Sequence, residues 1–176
     1  MDFIEVYLLN QLDLSIDKRH YAKNLILEHH YPCSKLISLI KNANTRQKLC
    51  LLCFCDTFSR TNKVYFIKAI DQFIKLSKVE NNETNKRSLS NLFLTFLNIK
   101  KQSFSHEQEN EIIEICFSWL ITDSKVATKC NCISCLSLLS KKHDWIADAL
   151  YPLIEQMYPS MPVSFQSRAR KVLEKR

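Results

Sequence analysis

Apolar residues recur along this chain at the three-to-four-residue spacing of a helix face. Phe66, Ile67, Ile70, Phe73 and Ile74 follow it, and so do Ile112, Ile113, Cys116, Phe117 and Leu120. No stretch alternates apolar and polar residues between turn residues in the manner of a strand. The periodicity predicts ten helices, over residues 3–13, 16–30, 32–42, 45–60, 63–78, 84–100, 106–122, 124–142, 144–158 and 164–175. Ser105 with Gln108 three residues on forms a capping box at one start, while Thr45 and Asp144 are weaker cap candidates. Pro32, Pro159 and Pro162 punctuate the pattern, and the polar stretch 80–85 reads as a loop.

The chain contains no glycine. Glycine serves where the backbone needs positive φ or must approach a phosphate closely. Without it, no GxGxxG, P-loop or GxSxG arrangement can exist. Asn42, Asn44, Asn62, Asn81, Asn82 and Asn98 fall where helices should begin or end. Asparagine tolerates left-handed backbone better than other residues that carry a Cβ, so it is expected to take over the turns.

The ten helices pair into five hairpins. Ala22, Ser88, Cys130 and Ala169 are small residues early in the second helix of four pairs, and the last three lie about 40 residues apart. Such a period with two helices per unit is that of HEAT-type repeats, whose hairpins bury their apolar faces by stacking. Ile121-Thr122-Asp123-Ser124-Lys125-Val126-Ala127 resembles the HEAT inter-helix turn, and Trp145-Ile146 through Tyr151-Pro152-Leu153 resembles a first HEAT helix with its internal proline. Together with Phe117-Ser118-Trp119-Leu120 and Ser167-Arg168-Ala169-Arg170, these residues resemble a family of small bacterial HEAT-like proteins often labelled adenylosuccinate lyase. The resemblance covers the C-terminal third well and the first hundred residues by pattern only. It implies an all-α fold, a HEAT-like α-solenoid (an α-α superhelix), as a single repeat domain over 1–176. The lyase superfamily itself carries a Gly-Ser-Ser-x-Met-Pro-x-Lys-x-Asn loop. Here Ser160-Met161-Pro162 stands without the glycine, the first serine, the lysine or the asparagine, so a helix connector is expected rather than lyase activity.

Composition adds limits. An apolar fraction of 46% with 24% charged residues fits a folded domain. The start, Met1-Asp2-Phe3-Ile4-Glu5, lacks the basic residues and apolar core of a signal peptide. The longest apolar run, 49–55, is too short to cross a membrane. A cytoplasmic protein without membrane contact is therefore expected, its eight cysteines reduced and mostly buried. Two cysteine clusters, Cys50/Cys53/Cys55 and Cys130/Cys132/Cys135, invite a metal reading. On a helix, however, Cys132 lies about 200° from Cys130 and Cys135 about 140° from it, so one ion cannot be chelated from one cluster. No metal and no cofactor are expected. Cys130 with Val126, Ala127 and Ile133, and Cys132 and Cys135 with Leu136 and Leu139, instead suggest a helix buried on two faces.

Histidines are sparse. His29-His30 closes a helix, and His143-Asp144 spans a helix junction with no marked nucleophile beside it. The reading therefore leans away from an enzyme. Trp119 and Trp145 are expected as packing anchors, with Trp145 the candidate for an aromatic binding contact. The net charge of +7 is unevenly spread: residues 1–17 hold Asp2, Glu5, Asp13 and Asp17 without any Lys or Arg. The C-terminal helix holds Arg168, Arg170, Lys171 and Lys175, of which Arg168, Lys171 and Lys175 form a stripe, while Ala169, Val172 and Leu173 can pack inward. The expected function is a non-enzymatic interaction module that offers a curved helical surface with a basic end to an acidic protein partner. The alternative is sequence-independent nucleic-acid binding, as in HEAT-like DNA alkyl-base glycosylases.

Overall fold

In a computed structural model, residues 2–100 and 102–174 are described. They form ten α-helices and no strand: α1 (Phe3–Asn10), α2 (Ile16–Glu28), α3 (Cys33–Asn42), α4 (Thr45–Ser59), α5 (Ile70–Lys78), α6 (Glu83–Leu97), α7 (His106–Ile121), α8 (Val126–Leu139), α9 (Asp144–Met157) and α10 (Val163–Leu173). The fifth predicted helix is divided. Its first half, Lys63–Ala69, winds as a 3-10 helix before α5 begins.

Side-chain chemistry sets the helix starts. Ser105 and Gln108 close the expected capping box on α7, with both backbone N–H groups held at 3.0–3.1 Å. At α4 the cap is Asn44 rather than Thr45. Its side chain accepts from the Gln47 N–H (3.0 Å) and Gln47 reaches back to the Asn44 N–H (3.1 Å). Asp2 and Glu5 make a third box on α1. Asp144 is the first residue of α9, not its cap.

The asparagines do work at helix ends, but not through left-handed backbone. Among the described residues only His30 has positive φ, at 48°. It sits just past α2, where the Tyr31 N–H returns to Ile26 O (2.9 Å) and the His30 N–H to Leu27 O (3.3 Å). This is a Schellman closure, usually built on glycine. The asparagines act through their side chains instead. Asn82 accepts from the Thr84 and Asn85 N–H groups, and Asn42 and Asn98 donate to carbonyls four residues earlier, Ser38 O and Leu94 O. An amide side chain can satisfy an orphan backbone group without forcing the main chain into a costly region.

The chain divides into two compact units, Met1–Leu92 and Phe93–Arg176, with the division inside α6. In the first, α4 packs against α1, α2, α3 and the 3-10 segment. It buries Leu51, Leu52, Phe54, Cys55 and Phe58 almost completely. Phe54, Phe58, Phe66 and Phe73 form a chain of ring contacts with centroids 5.4–5.8 Å apart. Each such buried ring contributes about 1.5–3 kcal/mol from removed apolar surface. In the second unit α8 packs against α7, α9 and α10. Trp119 on α7 is buried, as an anchor should be, and Pro152 lies inside α9 with its ring exposed.

The faces of α8 differ in one respect from the helical-wheel expectation. Thr128, Cys132, Ile133, Cys135, Leu136 and Leu139 are buried, whereas Ala127 is exposed and Val126 and Cys130 are half-buried. Thr122, Asp123 and Lys125 just before α8 are exposed, so the apolar residues of its first turn have less to pack against. Cys130 faces the start of α10, with its Sγ 3.8 Å from Ser164 O. A charge at Cys132 should therefore be far more damaging than one at Cys130. Cys132→Asp buries an unpaired carboxylate and is expected to cost at least ~3 kcal/mol. Cys130→Asp, near solvent and Arg168, is expected to cost only about 1 kcal/mol. Thermal melts of the two variants check the order.

Candidate functional site

The residues of α10 divide as its periodicity requires. Ala169 and Val172 are buried and Leu173 half-buried, while Arg168, Arg170 and Lys171 are exposed. Three residues apart, Arg168 and Lys171 are neighbours on one face. They line a groove of about 220 Å³ together with Leu94, Asn98, Ser134 and Val172. Ser134 turns its hydroxyl onto Cys130 O (2.8 Å) and Asn98 its amide N–H onto Leu94 O (2.8 Å). Positive charge, not a row of free polar donors, therefore defines this groove. Neither Arg168 nor Lys171 has an acidic partner among the described residues.

The other expected site residues lie elsewhere. Arg170 donates to the Tyr158 hydroxyl (2.9 Å). Trp145, at the start of α9, does not line the groove. It is 53% exposed and stacks on Phe117, with centroids 6.1 Å apart and planes inclined by 24°. That exposure departs from its expected role as a buried anchor and leaves one face of the indole open to a partner. Lys175 lies outside the described residues.

Charges at the N-terminal end are engaged locally. Asp2 and Glu5 cap α1, and Asp13 accepts from the Ser15 N–H (2.8 Å) and Lys18 (2.9 Å). Hydrogen bonding from the Ser15 side chain, then from Lys18 and the Ser15 N–H, holds the Asp13 carboxyl well below the usual carboxylate range. A second basic groove, of about 460 Å³, is lined by Arg19, Arg60 and Arg87 in the first unit. Its charge is largely committed. Arg19 donates to the Thr57 hydroxyl (2.6 Å), and Arg60 pairs with Asp56, which also accepts from Asn91. Of these two grooves, the one at α10 carries the cations without an acidic partner among the described residues.

Two clusters gathered by tertiary packing were invisible in the sequence. The thiols of Cys116, Cys132 and Cys135 come together between α7 and α8. A hydrogen bond with Cys132 favours the Cys116 thiolate, but contact with Cys135 and burial outweigh it and push this thiol well above its usual range. None of the eight cysteines forms a disulfide, and no group of three or more His, Cys, Asp or Glu side chains among the described residues is arranged to hold a metal ion. Burial likewise raises Cys33, Cys50 and Cys55, and it raises Cys130 against the pull of Arg168. These thiols are poor nucleophiles at neutral pH.

The second cluster centres on Glu109, a buried carboxylate in the first turn of α7. It pairs with Lys142 and with His143 Nε2 (2.8 Å) from the segment between α8 and α9, and His106 lies against the His143 ring. His143 is thus tied to Glu109, an internal brace, rather than to a nucleophile. Burial alone would raise the Glu109 carboxyl. The hydrogen bonds from Lys142 and His143 outweigh it and hold the pKa below the ordinary 4.5.

A depressed carboxylate stabilises the fold fully above the unfolded pKa, and its contribution is lost as pH falls through the folded value. Glu109→Gln should therefore lower stability at pH 7 by about 1–3 kcal/mol, since Lys142 is half-exposed and partly screened. Part of the wild-type loss of stability below pH 4.5 should disappear in this variant, which urea titrations between pH 7 and pH 3 would measure.

No helix among the described residues is long and apolar enough to cross a membrane. Compared with known protein families, with curated proteins and with solved structures, the chain finds no match.

Proposed function

We propose that this chain is a non-enzymatic interaction module, a HEAT-like array of five helical hairpins whose basic α10 edge receives an acidic segment of a partner protein. The observation that carries this reading is the pair of open cations, Arg168 and Lys171, side by side on a well-packed helix. The helix is fixed by Phe165, Ala169 and Val172, all buried, so the backbone that carries the two charges needs no further ordering on binding. A groove of about 220 Å³ suits one or two carboxylate side chains with an apolar neighbour resting on Leu94 and Val172. The exposed face of Trp145 offers a second contact. Curvature of the array and a cytoplasmic location belong to the same reading.

Nucleic-acid binding is the competing reading. Tight binding to duplex requires a string of phosphate contacts, with affinity falling steeply as salt rises. Two open cations in a confined groove favour an acidic peptide over a long polyanion.

Binding of a labelled Glu/Asp-rich peptide, followed by fluorescence anisotropy, tests the proposal. Saturable binding at low salt is expected, weakened about tenfold or more by Arg168→Glu with Lys171→Glu. Arg19→Gln in the committed groove should leave it unchanged. Equal affinity of the double variant would overturn the proposal. Retention on duplex DNA with a steep salt slope, and none of the peptide, would select the nucleic-acid reading instead.

A further inference from the structure

A further cavity belongs to the first unit. It is about 520 Å³ in volume and opens between α3 and the junction of the 3-10 segment with α5. Ile37 and Ala69, both buried, form an apolar floor. Lys41 in the last turn of α3 and Lys68 in the last turn of the 3-10 segment stand at its edge, both exposed. Neither ammonium has an acidic partner among the described residues. Gln72, in the first turn of α5, also lines the cavity, and its Oε1 is buried without a hydrogen-bond partner.

Each of these features is costly or idle without a ligand. A buried amide oxygen that accepts nothing forfeits a hydrogen bond it would make in water. Reversing the amide would leave its nitrogen unpaired in the same place. Two unpaired cations beside an apolar floor repel each other and attract any anion that can lie on that floor. The seven-residue 3-10 segment is longer than the three or four residues usual for its kind. It brings Lys68 and Ala69 to the cavity, directly before Gln72. Cys33 at the edge adds no negative charge, because burial pushes its thiol up to about 11.

We infer that this cavity binds a small organic anion that carries a hydrogen-bond donor. The apolar body lies over Ile37 and Ala69, the anionic group meets Lys41 and Lys68, and an N–H or O–H donates to Gln72 Oε1. The site is separate from the α10 edge in residues and in ligand, so either proposal can fail without the other.

Indole-3-acetate is a probe with all three elements: a flat apolar body, a carboxylate and one N–H. Titration into isotopically labelled full-length protein, followed by amide NMR, should give saturable shifts confined to α3, the 3-10 segment and the start of α5. Lys41→Gln with Lys68→Gln should weaken binding about tenfold or more. The N-methylated probe, which differs only in the missing donor, should bind several-fold more weakly to the wild type but no more weakly to Gln72→Leu. These substitutions lie at exposed or half-exposed positions, and retained NMR dispersion would confirm that the variants fold. Shifts scattered over the surface, no saturation at millimolar probe, or equal affinity in the lysine variant would overturn the inference.

Discussion

Everything in this structure rests on one packing constraint: a helix surrounded by other helices must be narrow and apolar around most of its girth. In the first unit that helix is α4, touched by α1, α2, α3 and the 3-10 segment; in the second it is α8, touched by α7, α9 and α10. Both carry three cysteines, and at least two of each three are buried. Cysteine is a small side chain that behaves as a hydrophobe, so it lets neighbouring helices approach from several directions without a cavity or a polar group to satisfy. The large aromatic residues then fill the gaps between helices, as the contacts from Phe54 to Phe73 do around α4.

The same economy governs the charges. Acidic groups are mostly engaged where they stand, as caps on α1, as the Asp13 turn, or as the Glu109 brace. Several cations are not. Among them are two pairs, Arg168 with Lys171 and Lys41 with Lys68, each beside an apolar surface. Local pairing decides what a partner can see, more than the net charge does.

The helices were legible in the sequence because their apolar faces recur at a spacing no other element uses. The capping box at Ser105 was legible because it is local. Where pattern and structure part, a nonlocal cause can be named. The start of α8 is less buried than a helical wheel suggests, since a wheel assumes packing along the whole helix and Ala127 is exposed. Trp145 is large and apolar, yet it rests on Phe117 at the surface. Residues 63–69 wind more tightly than their periodicity implies, though their buried residues, Phe66 and Ala69, are those of a packed face. The basic stripe of α10 could be read directly, being a single helix. The groove beside it could not, because Leu94, Asn98 and Ser134 arrive from other helices. The same is true of Glu109 with His143, 34 residues apart, and of the cavity that gathers Lys41, Lys68 and Gln72.

His30, the one left-handed residue among those described, has a consequence for the unfolded chain. A residue with a Cβ is held there at a cost of about 1–2 kcal/mol, which a glycine would not incur. Across the rest of the sequence the balance runs the other way. A disordered chain without glycine samples fewer backbone states, and each position spared a glycine loses about 0.4–1 kcal/mol less entropy on folding. Part of this protein's stability is thus carried by what its denatured ensemble is unable to explore, and His30 is the one described position where the folded backbone bears the corresponding strain.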